Sequence, residues 1–185
     1  MSDITYPNTS AANAVSRGSH IEVVDSNGKP LMVMPSATAH QQQLAMKSVF
    51  VLIYNKQGKF FLQRRADNKA LAPGMWDISA ATHVGADEAL EAAAERVLLK
   101  ELNLTAAKLH YQKSQQVRID DATLWSSIYS ANIGTKTLTP NPDEVQDGLY
   151  VDAEELQSLY EHFPDMLTPV LVWAIEANII FASTS

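Results

Sequence analysis

The chain contains no cysteine. This excludes a disulfide framework, a thiolate zinc site and a cysteine nucleophile. No apolar run reaches the roughly 18 residues that spanning a bilayer requires. The first residues lack the charged-then-apolar order of a secretory signal. The expectation is a cytoplasmic protein with no membrane partner. Positive charge is scarce: 14 Lys and Arg stand against 21 Asp and Glu, a net charge of -7, with an isoelectric point near 5.1. That balance argues against a nucleic-acid polymer as partner, although a local basic patch can still hold phosphates. The seven glycines form no phosphate-cradling run, and no Ser or Thr sits in a nucleophile elbow. There are no internal repeats and no domain-scale linker.

What is present centres on Thr82 to Leu104, THVGADEALEAAAERVLLKELNL. It reads as a loop feeding a helix rich in Ala, Leu and Glu. Asp87 is the expected N-cap, with Glu88 and Glu91 in the first turn, where carboxylates suit the helix dipole. Leu90, Ala94, Val97 and Glu101 share one face by spacing, and Asn103 suits the left-handed residue that ends a helix. Glu101 breaks the pattern, because an acid in the last turn faces the negative end of the dipole. Two readings stand: an ion pair with Lys100 or Lys108, or a bound cation.

The rest of the chain frames this stretch. Residues 1–18 read as a loose Ser-, Ala- and Asn-rich tail ahead of a single domain, 19–185. Apolar runs around Asp25–Pro30 form an N-terminal hairpin, 19–35, which could pair across a homodimer. Ser36 is placed to cap a short helix through about Leu44. Ser48–Tyr54 is a continuous apolar run, the mark of a strand buried on both faces. Lys59–Arg65 returns as its partner, and Met75–Ala80 is a short strand. Two long strands follow, Lys108–Arg118 and Leu124–Ile133, joined through Ile119–Ala122. A further strand follows Asp143. Asp152 caps an acidic helix, and Asp165 caps a last apolar one, Met166 to about Ile180. Strands flanking a helix, with a second helix at the end, imply an α/β sandwich with a mixed sheet.

These residues resemble the Nudix superfamily, whose box is Gly, five residues, Glu, seven residues, Arg-Glu, an aliphatic, any residue, Glu-Glu, any residue, Gly, an aliphatic. Anchored on Glu101, the chain offers Thr82, Glu88, Arg96-Val97, Leu98, Lys100-Glu101, Asn103 and Leu104, and matches five of nine defined positions. The flanks add SVFVLIYNKQGKFFLQRR, then PGMWD, then Asp143-Glu144-Val145 before LYVDAEEL, so the resemblance covers a core of 46–181. It implies a Nudix-type α/β/α sandwich and hydrolysis of a phosphoanhydride, a nucleoside diphosphate linked to another moiety, with Mg²⁺ or Mn²⁺. Clustered carboxylates on the helix would hold the metal, which screens phosphate charge and activates water. Here Val97 and Lys100 replace two of the three glutamates, leaving Glu101 as metal ligand and catalytic carboxylate. The thinned box implies weak activity, or a non-catalytic ligand-binding protein.

Within the superfamily the layout is similar to the isopentenyl diphosphate isomerase branch. By that resemblance its essential cysteine falls at Ala81. One metal-binding histidine falls at His83, the others near His40 and at Met46, and its strand glutamates near Ala122 and Leu124. Isomerase chemistry would lack its acid, its base and most of its metal site.

The remaining candidates each have two readings. Arg65, and less so Arg64, could clamp the phosphates of a small-molecule diphosphate or form a solvated edge. Lys69 could add charge to that clamp. Trp76 could stack on a ligand or belong to the core. His83 could meet metal or phosphate, or make a structural hydrogen bond. Glu144 matches the place of a general base in some Nudix enzymes, or is loop charge beside Asp143 and Asp147. Glu88 and Arg96 are expected to lock the loop onto the helix.

Overall fold

In the computed structural model, which describes residues 20–105 and 107–182, one strand sets the layout. β3 (Met46–Tyr54) lies between two apolar layers. Its odd-numbered residues Val49, Val51 and Ile53 pack on one face with Ala94, Val97 and Leu98 of the helix α2 (Leu90–Leu102). Its even-numbered Phe50 and Leu52 pack on the other face with Leu171 and Ala174 of α4 (Pro169–Glu176). Strand alternation therefore turns a continuous apolar run into two cores. Each such side chain contributes roughly 1.5–3 kcal/mol on burial. The result is the α/β/α sandwich with a mixed sheet. The tail, 1–18, lies outside the described residues, as does the first residue of the hairpin.

Antiparallel β1 (His20–Val24) and β2 (Pro30–Pro35) form the hairpin. The Asp25 carboxylate closes its turn, accepting from the Asn27 and Lys29 amides at 2.8 and 2.9 Å. β8 (Ala122–Asn132) runs parallel to β3 through nine register pairs, and β7 (His110–Ile119) pairs antiparallel with β8. The other edge of β3 is shared by β1, by β6 (Ala80–His83) and, at Tyr54, by β4 (Phe60–Arg65). β4 carries β5 (Trp76–Asp77) and β9 (Val145–Val151).

Several element boundaries differ from expectation for local reasons. Ser79 divides the strand expected over Met75–Ala80. Its hydroxyl accepts from the Ile53 amide at 2.9 Å and donates to the Phe61 carbonyl at 2.6 Å. It thereby replaces a ladder bond between β3 and β4. Asp87 does not cap α2: it has φ +59, and Ala89 is the N-cap with no side-chain bond. The short helix α1 (Ser36–Gln41) follows Pro35 as N-cap and stops before Gln43, which has φ +53. Asp165 falls in a 3₁₀ turn, Pro164–Met166, and α4 is capped by Thr168, with Pro169 at its first position. Asp152 does cap α3 (Ala153–His162), in a reciprocal capping box with Glu155. Among the described residues no helix is long and apolar enough to cross a membrane.

Candidate functional site

The C-terminal end of α2 gathers side chains from several segments. Gln63 on β4 stands opposite Asp77 on β5. Its amide donates to Glu101 Oε2 at 3.1 Å. Glu101 is only 6% exposed. Among the described residues it makes no ion pair, so the expected pairing with Lys100 or Lys108 is replaced by a single neutral donor. Burial pushes the Glu101 carboxyl up to about 7; Gln63 and Lys69 oppose the rise, and the charges of Asp77 and Glu144 add to it.

Lys100 reaches instead to Glu144 Oε1, at 2.8 Å, and Lys69 bonds the other oxygen, Oε2. Burial raises the Glu144 carboxyl, but the two lysines outweigh it and leave the group below its ordinary value. A carboxylate held this way is a poor proton acceptor. Asp77 is buried, which pushes its carboxyl up against the opposing charge of Arg65 and bonds from Thr168 and its own neighbour Ile78. Thr168 donates to it at 2.7 Å.

Backbone contacts hold this arrangement. Arg64 Nε donates to the Gly74 carbonyl at 2.9 Å, and Arg65 donates twice to the Leu71 carbonyl, at 3.0 and 3.1 Å. Arg65 Nη1 also meets Asp77 at 3.2 Å. Arg65, expected as a phosphate clamp, thus fixes the loop that presents Lys69. The Ala66 amide anchors that loop to the Glu144 carbonyl at 3.1 Å. The C-terminal carbonyls of α2, which need partners, are met by the loop before β9: Asn141 donates to the Glu101 carbonyl at 2.8 Å and to the Lys100 carbonyl at 3.1 Å. Asn103, at φ +49, ends the helix as expected and donates to Thr139 at 2.7 Å.

Two expected site residues lie elsewhere. Thr82 faces α2, where Arg96 approaches its hydroxyl at 3.4 Å, so the next residue, His83, points through the opposite face of the sheet. There its Nε2 lies 3.0 Å from Nε2 of His40. Burial, then the neighbouring His40, lowers the His83 imidazole to about 4, against a raising contact from the Lys47 backbone. His83 is therefore separated from Glu101 by the sheet. Trp76 packs, partly buried, against the α4-side core, while its carbonyl accepts from Thr168 at 2.8 Å. Just ahead of α2, both oxygens of Glu88 meet Arg96 from the middle of that helix, at 2.6 and 2.8 Å, and Glu88 also accepts from the Gly85 amide at 2.7 Å, which is the expected loop lock.

Residues 45–170 match the family model for the NUDIX domain. The chain belongs to the Nudix family. It is 30% identical over 161 residues to the uncharacterized Nudix hydrolase PA4841 of Pseudomonas aeruginosa, covering 85% of this chain and 94% of that one. It is 26% identical to an isopentenyl-diphosphate Delta-isomerase of Pectobacterium atrosepticum, covering 80% and 84%. The crystal structure of DR0079 from Deinococcus radiodurans superposes with a TM-score of 0.73 at 19% identity, covering 85% of this chain and 98% of that one. This last likeness concerns the fold. Gln63 and Asp77 join the cluster around Glu101, and sequence reasoning missed both. The sequence signal for Gln63 is weak: it is the first of three polar residues that follow the apolar start of β4.

Whether these residues suit a divalent cation depends on the donors. Among the described residues no group of three His, Asp or Glu side chains could hold a metal ion. Both Glu144 oxygens are taken by lysines, and among the described residues Glu101 alone is a buried carboxylate without an ion pair. This set does not fit a multi-metal centre. It does fit one Mg²⁺ or Mn²⁺ whose other ligands are water and substrate phosphate, the usual habit of Mg²⁺.

Proposed function

We propose that this Nudix-family protein binds a small-molecule phosphoanhydride at the C-terminal end of α2 and hydrolyses it, weakly, with a divalent cation brought in with the ligand. The observation that carries the reading is Glu101, a buried carboxylate without a cationic partner at the helix end that its dipole disfavours. A bound cation would screen the phosphate charge and acidify a water molecule. Glu101 would hold that cation and Gln63 would orient Glu101. Lys69 would meet phosphate oxygens. Arg65 would act indirectly, by fixing the loop that carries Lys69. A cavity of about 510 Å³, over Phe61, Gly148 and Tyr150 and walled by Pro140 and Pro142, starts one residue past Glu144 and offers room for the moiety linked to the diphosphate.

Nucleotide sugars, dinucleotides and nucleoside triphosphates assayed with Mg²⁺ or Mn²⁺ test this. Turnover that disappears in Glu101→Gln supports hydrolysis. Thermal stabilisation by a ligand without turnover supports the second reading, a non-catalytic binding protein, which the two lysines occupying Glu144 favour. Isomerisation lacks its groups at most of the corresponding positions: Ala81 packs against the α4-side core, and Leu124 and Met46 are buried in it, although His40 and His83 do meet. The outer strand β2 exposes Leu31, Met32 and Val33, and a homodimer would form on this surface; sedimentation of Met32→Lys against the parent chain tests that.

A further inference from the structure

Lys100 stands where the Nudix box places an acid, and its ammonium converges with that of Lys69 on one carboxylate. The two cations come from different elements, the last turn of α2 and the loop after β4. Glu144 is held between them while its backbone is fixed independently, its amide to Asn141 at 2.9 Å and its carbonyl to Ala66 at 3.1 Å. The carboxylate can therefore leave by side-chain rotation alone. It is 14% exposed, against 22% for Lys69 and 57% for Lys100, so a solvent route lies on the Lys100 side. Glu101 and Asp77 are the other acids that bear on this corner, with Arg65 alongside Asp77.

We propose that Lys69 and Lys100 form a two-ammonium receptor for one phosphoryl group, and that the Glu144 carboxylate is its internal occupant, displaced when a diphosphate binds. A carboxylate and a phosphoryl group present similar anionic oxygens, and the phosphoryl group brings more charge to the same two donors. Glu144 then acts as a competitor for the site. Lys100 supplies fixed positive charge where the family box would supply an acid.

The proposal rests on the diphosphate reading but not on turnover, so binding tests it separately. Inorganic pyrophosphate is titrated calorimetrically into the full chain in metal-free buffer. Glu144→Gln is expected to bind at least tenfold tighter than the parent, and Lys100→Gln at least tenfold weaker. Glu144→Asp, which keeps the charge on a shorter arm, fixes the outcome if the glutamine variant fails to fold: it should also tighten binding, by severalfold. Unchanged or weaker binding in a folded Glu144 variant overturns the proposal. If phosphoanhydrides are still hydrolysed while that happens, the hydrolase reading stands and this one falls. If pyrophosphate binds neither the parent nor any variant, with or without Mg²⁺, the diphosphate reading falls as well.

Discussion

Glu88, just ahead of α2, meets an arginine with both oxygens and a backbone amide with one of them. Glu101, in the last turn of the same helix, has one amide at 3.1 Å and is more deeply buried. Hydrogen bonding from Arg96 outweighs burial and holds the Glu88 carboxyl below its ordinary value, while burial drives Glu101 up to about 7. The contrast separates two uses of a charge on one helix. A carboxylate with donors on both oxygens fastens the loop. One that is dry and half-met costs folding energy unless positive charge reaches it, and such groups gather at functional sites.

The sharpest way to break this comparison is activity. Glu101→Gln should lower turnover of any phosphoanhydride substrate by roughly 100-fold or more, about 3 kcal/mol of barrier, whereas Glu88→Gln should change it only about threefold. Equal losses in initial-rate assays would remove the distinction. Stability against pH comes next. The folded-state pKa of Glu101 lies above its ordinary value of 4.5, at about 7. The native state therefore holds the proton longer, and stability falls as pH rises from about 4.5 to 7. The loss amounts to roughly 3 kcal/mol at most. Urea denaturation at pH 5 and pH 8 should show it, and Glu101→Gln should flatten it. Glu88 works with the opposite sign: its carboxyl is held low, so its contribution is present above 4.5 and is lost on acidification.

His83 extends the contrast to the other face. It is lowered to about 4 from 6.5, so the unfolded chain binds the proton first and stability falls as pH drops from about 6.5 towards 4. The loss is at most roughly 3 kcal/mol, and denaturation series with His83→Asn should not show it. The smallest effect is expected at the fastener itself. Arg96 is 44% exposed on its side chain, so solvent screens the pair. Glu88→Ala should cost about 1 kcal/mol, a melting shift of roughly 2–4 °C by calorimetry.

The features that could be read from the sequence were those set by neighbours along the chain. The two-faced run of β3, the Asp152 cap and the left-handed Asn103 follow from local pattern, and the resemblance carried the Glu88–Arg96 lock. The helix dipole alone marked Glu101 as anomalous. What escaped was decided across the fold. Asp87 lost the cap because the turn that delivers Glu88 to Arg96 puts Asp87 itself at positive φ. Lys100 lies beside Glu101 in sequence but reaches Glu144, and Gln63, 38 residues away, takes Glu101 instead. Spacing also could not show that His83 and Glu101 sit on opposite sides of the sheet.

The parallel pairing of β3 with β8 has a consequence for how the chain assembles. Ser48 and Ser126 meet through their hydroxyls at 2.7 Å across 78 residues of sequence. Because that seam is parallel, a crossover must be in place before it can close, and α2 lies within the intervening chain. Hairpins such as β7–β8 can zip early, whereas the β3–β8 seam waits for a long loop closure, so acquisition of native structure should be slow for a chain of this length. On a ribosome, β3 would emerge with both apolar faces bare; α2 is made in time to cover one, but the face that packs on α4 stays open until 169–176 are made, an interval in which a nascent chain is exposed to aggregation.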